Sequence, residues 1–418
     1  MTRFIVATVF EGVGSLPDAS VDLVLSSPPF LALRSYLPAD HPTKGREIGS
    51  EATPADFLDT LLDVVESCDR VLAPHGSLVF ELGDIYAGSG GAGVGYGPNG
   101  LREGQPGCDG RARRAGNRVT LADGRTIQPN GIGNGASRKG AGWPLDKSLT
   151  FMPQLFGASL AYGRNLLRPE RTTPPWRIRN VIAWCRPNPP VGSLADKFRP
   201  ATSYLTVATK SRTRYFDLDA VRTPHKADPT TYTGNGYTKG APEGIPGNEL
   251  MPGNPAGAPP LDWWEIPTQP YAGSHYATWP EDLLVRPIKA MCPERVCRTC
   301  GEPSRRIVEV EYEPHGAKNP TEPRLRHADA LVNPSAQGMA NGRATRVVTD
   351  SRWTTCGHDD YRRGVVLDPF AGSGTTLAVA QGHGRDAVGI DLDARNADLA
   401  RERAGMFLTV ENRPHVTR

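Results

Sequence analysis

The stretch from Gly364 to Met406 constrains the fold more than any other part of the chain. Gly364-Val-Val-Leu-Asp368 is a short run of strand formers, and Thr375 to Gln381 has helical spacing. Asp386-Ala-Val-Gly-Ile-Asp391 is a second strand, and Ala394 to Ala404 a second helix. Strand and helix alternating at this spacing imply parallel strands with helices crossing back over the sheet. The expected fold class is therefore α/β, a doubly wound, mostly parallel sheet. The N-terminal part fits the same plan. Val21 to Ser26 predicts a buried strand, and Thr53 to Leu72 a helix capped by Thr53 with Pro54 in its first turn. Pro74-His-Gly76 predicts a turn before a strand over Ser77 to Leu82. A helix is expected over Ser148 to Leu167, and strands over Val181 to Trp184 and Tyr204 to Ala208.

Between these elements the composition changes. Residues 87 to 142 are rich in glycine and then in arginine, and residues 222 to 260 in proline, glycine and threonine. Ser304 to Ser351 is polar and of mixed charge. Such stretches bury little apolar surface and suit insertions. The resulting division is a core half over 1–86, a Gly/Arg-rich insertion over 87–146 and core again over 147–216. A target-recognition insertion over 217–261 follows, then core over 262–296, a knuckle-like insertion over 297–363 and the final core half over 364–418. A net charge of +3 on 418 residues neither demands nor excludes nucleic acid, because charge can be confined to one groove. No signal peptide or membrane-length apolar run is read, so a cytoplasmic protein with no membrane partner is expected.

Asp368-Pro-Phe-Ala-Gly-Ser-Gly-Thr-Thr376 occupies a strand-to-helix turn. Gly372 and Gly374 permit a tight turn and close approach to a ligand. Asp391 ends the next strand, where an acid can take ribose hydroxyls. No lysine follows the glycines and no third glycine is placed for a pyrophosphate, which favours a nucleoside without phosphates. Ser27-Pro28-Pro29-Phe30 follows directly on the strand ending at Ser26. Two prolines fix the backbone and remove two N–H donors. That leaves carbonyls and the Ser27 hydroxyl as acceptors beside a flat ring, which suits an aromatic amine. Read alone, a plain proline turn competes with this.

Taken together, these motifs resemble the DNA amino-methyltransferases. Their catalytic tetrad is (Asp/Asn/Ser)-Pro-Pro-(Tyr/Phe/Trp), and their cofactor motif is similar to Asp368–Thr376. The tetrad precedes the glycine loop, as in the β class, a circularly permuted motif order on the S-adenosylmethionine-dependent methyltransferase fold. The resemblance extends through Leu31-Ala-Leu-Arg34, Glu47-Ile-Gly49, Gly76 to Asp84, Trp176 to Asn188, Tyr204 to Asp217 and Asp262 to Pro287. It implies S-adenosylmethionine as methyl donor, held by Asp368, Phe370, Gly372, Gly374, Thr375 and Asp391. It also implies a second cofactor segment at Thr278 and Trp279, although relatives often carry lysine where Trp279 stands. The implied partner is double-stranded DNA, with or without a cognate restriction endonuclease. The target base would be flipped from the duplex, with Ser27, Pro28, Pro29 and Phe30 as the catalytic group. Serine at the first tetrad position goes with cytosine N4 in this family. Adenine N6 is the alternative, and a non-catalytic DNA-binding protein with a methylase-like core the remote one.

Cys297-Arg-Thr-Cys300 is a tight cysteine pair, and Cys356-Gly-His358 adds two more soft donors downstream. Three thiols and an imidazole suit structural zinc. Cys292 is a rival ligand, and reduced, unpaired cysteines are the alternative.

Overall fold

The computed structural model describes residues 2–33, 37, 44–88, 119–120, 126–127, 140–189, 196–224, 257–269, 279–314, 344–405 and 408–412. Contacts divide the chain into two units. The first comprises Met1–Phe216, Asp262–Pro303 and Asp360–Arg418, and the second Asp217–Leu261 and Ser304–Asp359.

The first unit is built on nine strands: β1 (Arg3–Val6), β2 (Val21–Ser26), β3 (Leu72–Leu82), β4 (Arg177–Cys185), β5 (Thr202–Thr209), β6 (Trp263–Glu265), β7 (Val365–Asp368), β8 (Asp386–Asp391) and β9 (Thr409–Asn412). Their order is β6-β4-β5-β3-β2-β7-β8-β1-β9. Every neighbouring pair is parallel except those involving β5, which runs against both β3 and β4. The doubly wound, mostly parallel α/β sheet is thus present.

Two groups of helices flank the sheet. α1 (Val9–Gly14), α2 (Pro54–Val71) and α3 (Met152–Tyr162) pack in sequence, as do α4 (Glu281–Met291), α5 (Thr375–Gly382) and α6 (Arg395–Ala404). α2 follows its sequence signals. The Thr53 hydroxyl accepts the Asp56 N–H, and Phe57, Leu58, Leu61, Leu62, Val65 and Cys68 are all buried. Phe80 on β3 stacks on Phe156 of α3 with ring centroids 5.8 Å apart. Each such buried ring contributes ~1.5–3 kcal/mol. No helix among the described residues is long and apolar enough to cross a membrane.

Three expectations are corrected. Pro74–Gly76 does not end an element: β3 starts at Leu72 and bulges, with Val21 opposite Leu72 and Leu23 opposite Ser77. The helix expected over Ser148–Leu167 covers only Met152–Tyr162. Phe151 and Gly163, both in the left-handed region, bound it, and Arg164–Asn165 then pairs with Arg168–Thr172. The polar stretch from Ser304 contains an antiparallel hairpin, Arg306–Pro314 with Ala344–Trp353. In this second unit Arg306 bridges Asp217 at 3.0 Å and lies over the Trp353 ring. Most of the expected insertions over 87–146 and 217–261 lie outside the described residues.

Candidate active site

β2 and β7 run side by side in parallel, with Val24 opposite Leu367, so their C-terminal ends emerge together. Ser26, the last residue of β2, donates its hydroxyl to Asp368 Oδ1 at 2.5 Å. Ser27-Pro28-Pro29-Phe30 starts at the next residue. Folding therefore sets the diproline corner beside the glycine loop.

Pro28 is buried, and Ser27, Pro29 and Phe30 are half-buried. The segment around Gly49 clamps the corner. The Ala32 N–H donates to the Gly49 carbonyl at 2.7 Å. A Cβ at Gly49 would stand 2.9 Å from the Phe30 carbonyl, and its φ is +93°, so this close approach needs glycine. The Phe30 ring packs against the main core.

Ser27 has a partner that the sequence did not announce. Its hydroxyl donates to Glu81 Oε2 at 2.6 Å. Glu81 is 3% exposed on β3, within an otherwise apolar run. β2 and β3 are parallel, with Ser26 opposite Phe80, and this register brings Glu81 to Ser27. A charged residue in such a run is rarely buried without a role, and that was the signal available. Arg186 supplies compensating charge. Burial pulls its guanidinium below the usual range, and the Glu81 carboxylate acts in the opposite direction. The Arg186 side chain lies over Trp184 and donates to Ser203 Oγ at 3.1 Å.

In the glycine loop, Asp368 accepts from Ser26, from Thr376 Oγ1 at 2.5 Å and from the Phe370 N–H at 3.1 Å. Burial pushes its carboxyl up to about 6, against the pull of these donors. Asp391 accepts the N–H groups of Gly372 and Asp393, both at 2.8 Å, and the Asn396 amide at 3.0 Å. Burial likewise raises Asp391 to about 6. A carboxylate offers roughly four acceptor sites, so Asp391 keeps capacity for a ligand hydroxyl while its protein donors fix its direction.

Gly374 caps α5 at φ +77°, and a Cβ there would lie 2.8 Å from Ala400 Cβ on α6. Arg403 of α6 reaches back to Ser373 Oγ at 3.2 Å and to Thr375 Oγ1. Phe370 packs partly buried against the core, and Thr375 is buried at the start of α5. The loop is thus a rigid cradle with a hydroxyl-seeking acid at its edge, and these residues fit a nucleoside cofactor. Trp279 is half-buried just ahead of α4, which packs on α5. Thr278 lies outside the described residues.

Cys297 and Cys300 belong to the first unit, and Cys356 and His358 to the second. The Cys300 N–H donates to Cys297 Sγ at 3.4 Å. Cys356 Sγ and His358 Nδ1 are 3.4 Å apart. Cys292 is fully buried, and burial raises its thiol well above the ordinary range. That environment disfavours the thiolate a metal needs.

A glycine loop, a directed acid and a diproline corner thus stand at adjoining strand ends. The chain belongs to the DNA methylase family, whose model matches residues 21–297 and 358–402. It is 24% identical over 401 residues to the type II methyltransferase M.SmaI of Serratia marcescens, covering 96% of this chain and 90% of that protein. It is also 24% identical over 402 residues to the type II methyltransferase M.Cfr9I of Citrobacter freundii, covering 94% and 86%. Among solved structures it is similar to the PvuII DNA methyltransferase (cytosine-N4-specific), with 12% identity, a TM-score of 0.45 and coverage of 96% and 87%. It is similar too to M1.HpyAVI in complex with SAM, with 12% identity, a TM-score of 0.39 and coverage of 96% and 100%.

Proposed function

We propose that this DNA methylase methylates the N4 amine of cytosine in duplex DNA. The observation that carries the reading is the Ser27 hydroxyl donating to Glu81 Oε2 at 2.6 Å. With its proton committed to the carboxylate, Ser27 Oγ presents lone pairs to an amine. The Pro28 carbonyl is the second acceptor, and Phe30 the stacking face for a base flipped out of the duplex. Asp368, Phe370, Gly372, Gly374, Thr375 and Asp391, with Thr278 and Trp279, would hold S-adenosylmethionine, which would supply the electrophilic methyl group.

The residues of the corner then manage one proton. As the amine nitrogen gains a methyl, it must lose a hydrogen. Ser27 Oγ accepts that proton and passes its own to Glu81 Oε2, which leaves a neutral methylated base and a protonated carboxyl. Half-buried Arg186 offsets the carboxylate charge on Glu81 before transfer. Positioning and a preorganised acceptor do the catalytic work.

Serine at the tetrad's first position supports cytosine over adenine, in keeping with the family's tendency. Nucleoside analysis of plasmid DNA from cells expressing the chain tests it. N4-methylcytosine is expected, and N6-methyladenine would overturn it. Target reading is assigned to the segments 87–146 and 217–261, in the setting of a type II modification enzyme that protects DNA from a nuclease. Cys297, Cys300, Cys356 and His358 are assigned to a structural zinc ion, on the donor chemistry of three thiols and one imidazole.

A further inference from the structure

At the end of the sheet where the interior strands β7 and β8 begin, the first unit carries a cavity of about 470 Å³. Arg295, Arg362, Arg363 and Arg385 line it with Tyr361 and His383, and Glu294 is its one acid. The glycine loop and Asp391 lie at the other ends of the same strands. Strands of this length place the two sites roughly 13–20 Å apart, so the cavity is not part of the cofactor cradle.

Two of the arginines are fixed from behind. Arg362 grips buried Asp22 with both terminal nitrogens, at 2.5 and 3.0 Å. His75 and the Val365 N–H hold the same carboxylate at 2.9 and 2.8 Å. Arg385 donates to the Cys292 carbonyl at 3.2 and 3.1 Å and to the His383 carbonyl at 2.6 Å.

The other two arginines sit one position beyond the last bonded pair of a short β-pairing. Val296 pairs antiparallel with Arg362, and Cys297 with Tyr361. The next position outward in that register sets Arg295 opposite Arg363. Both are exposed, and neither bonds to a carboxylate among the described residues. Like charges directly opposite on paired strands repel. Asp22 balances Arg362, which leaves Glu294, half-exposed and 3.5 Å from Arg385, as the lining's one acid against Arg295, Arg363 and Arg385. The surplus is felt nearby: burial, then Lys289 and Arg385, lower the affinity of His383 for a proton.

We propose that this cavity is a phosphate-binding site, in which an oxyanion sits between Arg295 and Arg363 above Arg385. Guanidinium forks match phosphate oxygens in charge and geometry. An anion here also offsets the positive charge that these arginines gather. The phosphate can come from a free ligand or from the backbone of DNA passing this end of the enzyme.

The full chain and its R295A/R363A variant distinguish these cases. Melting temperature is read in inorganic phosphate and in chloride at matched ionic strength. The wild type is expected to gain stability in phosphate, and the variant to show no gain while remaining at least as stable in chloride. Binding to short and long non-specific duplexes is then measured against salt. If the backbone is the source, the variant's log–log salt slope on the long duplex is shallower by about 1.8, from two contacts at ~0.9 each. If a free ligand is the source, the slopes coincide and only the phosphate response differs. The proposal falls if the variant matches the wild type in both the phosphate response and the long-duplex slope. Methylation of DNA is not needed for either readout, so these results are separable from the choice of target base.

Discussion

Ser26 and Asp368, 342 positions apart in sequence, are joined by a hydroxyl-to-carboxylate hydrogen bond of 2.5 Å inside the core. This contact ties the strand that leads into the diproline corner to the strand that leads into the glycine loop. The protonation state of Asp368 therefore bears on both.

Burial raises Asp368 from 3.8 to about 6. A folded pKa above the unfolded one means that folding favours the protonated acid. Its stabilising contribution is complete below pH 3.8 and is lost as pH rises through about 6. Asp368→Asn carries no such titration. Melting curves between those limits are expected to show the wild type losing stability with rising pH relative to Asp368→Asn. Parallel profiles would contradict the assignment.

Glu81→Gln keeps the shape of the side chain but removes the proton acceptor behind Ser27. Turnover on duplex DNA is expected to fall by about 10²-fold or more, the range for loss of positioned proton transfer. Cofactor affinity should be unchanged. Single-turnover methyl transfer and calorimetric cofactor titration measure the two separately. A variant as fast as the wild type would take Glu81 out of the reaction.

Gly374→Ala places a Cβ at φ +77° and 2.8 Å from Ala400 Cβ. Strain of this kind costs ~1–3 kcal/mol. Denaturant titration should show that loss, with cofactor binding weakened at least about tenfold as α5 and α6 part, since 1.4 kcal/mol is a factor of ten. Gly382→Ala is the control, because a Cβ there meets open space. Equal stability of the two variants would refute the argument.

Purified protein is expected to carry one equivalent of zinc by elemental analysis. Cys300→Ser and Cys356→Ser should each lose it, while Cys292→Ser should keep it. Metal-free protein from zinc-replete cells would reduce the four donors to ordinary side chains.

The glycine loop was legible in the sequence because it is local. Asp368, Gly372, Gly374 and Asp391 lie within one strand-loop-helix-strand unit, and the helix after the loop starts where its pattern does. The tetrad stood out as a motif, but the hydrogen-bond partner of Ser27 did not. Glu81 reaches Ser27 only through the β2–β3 register, with Ser26 opposite Phe80, and that register is tertiary information. The short helix α3 was overextended because Ser148 to Leu167 is apolar enough to continue. Left-handed geometry at Phe151 and Gly163, which composition does not reveal, stopped it. The hairpin at Arg306–Pro314 was missed for a different reason. Val308-Glu-Val-Glu-Tyr312 alternates as a strand should, but its high charge read only as part of a polar insertion.

The position of β1 has a consequence for biosynthesis. This strand, with Phe4 and Ile5 fully buried, hydrogen-bonds to β8 on one side and β9 on the other. Neither neighbour exists until residues 386–412 have been translated. A nascent chain must therefore carry an unpaired apolar strand through nearly all of its synthesis, exposed to the mispairing that threatens open strand edges. Products that stop short of Asp386 cannot shelter β1 in its native place and are expected to accumulate as aggregates.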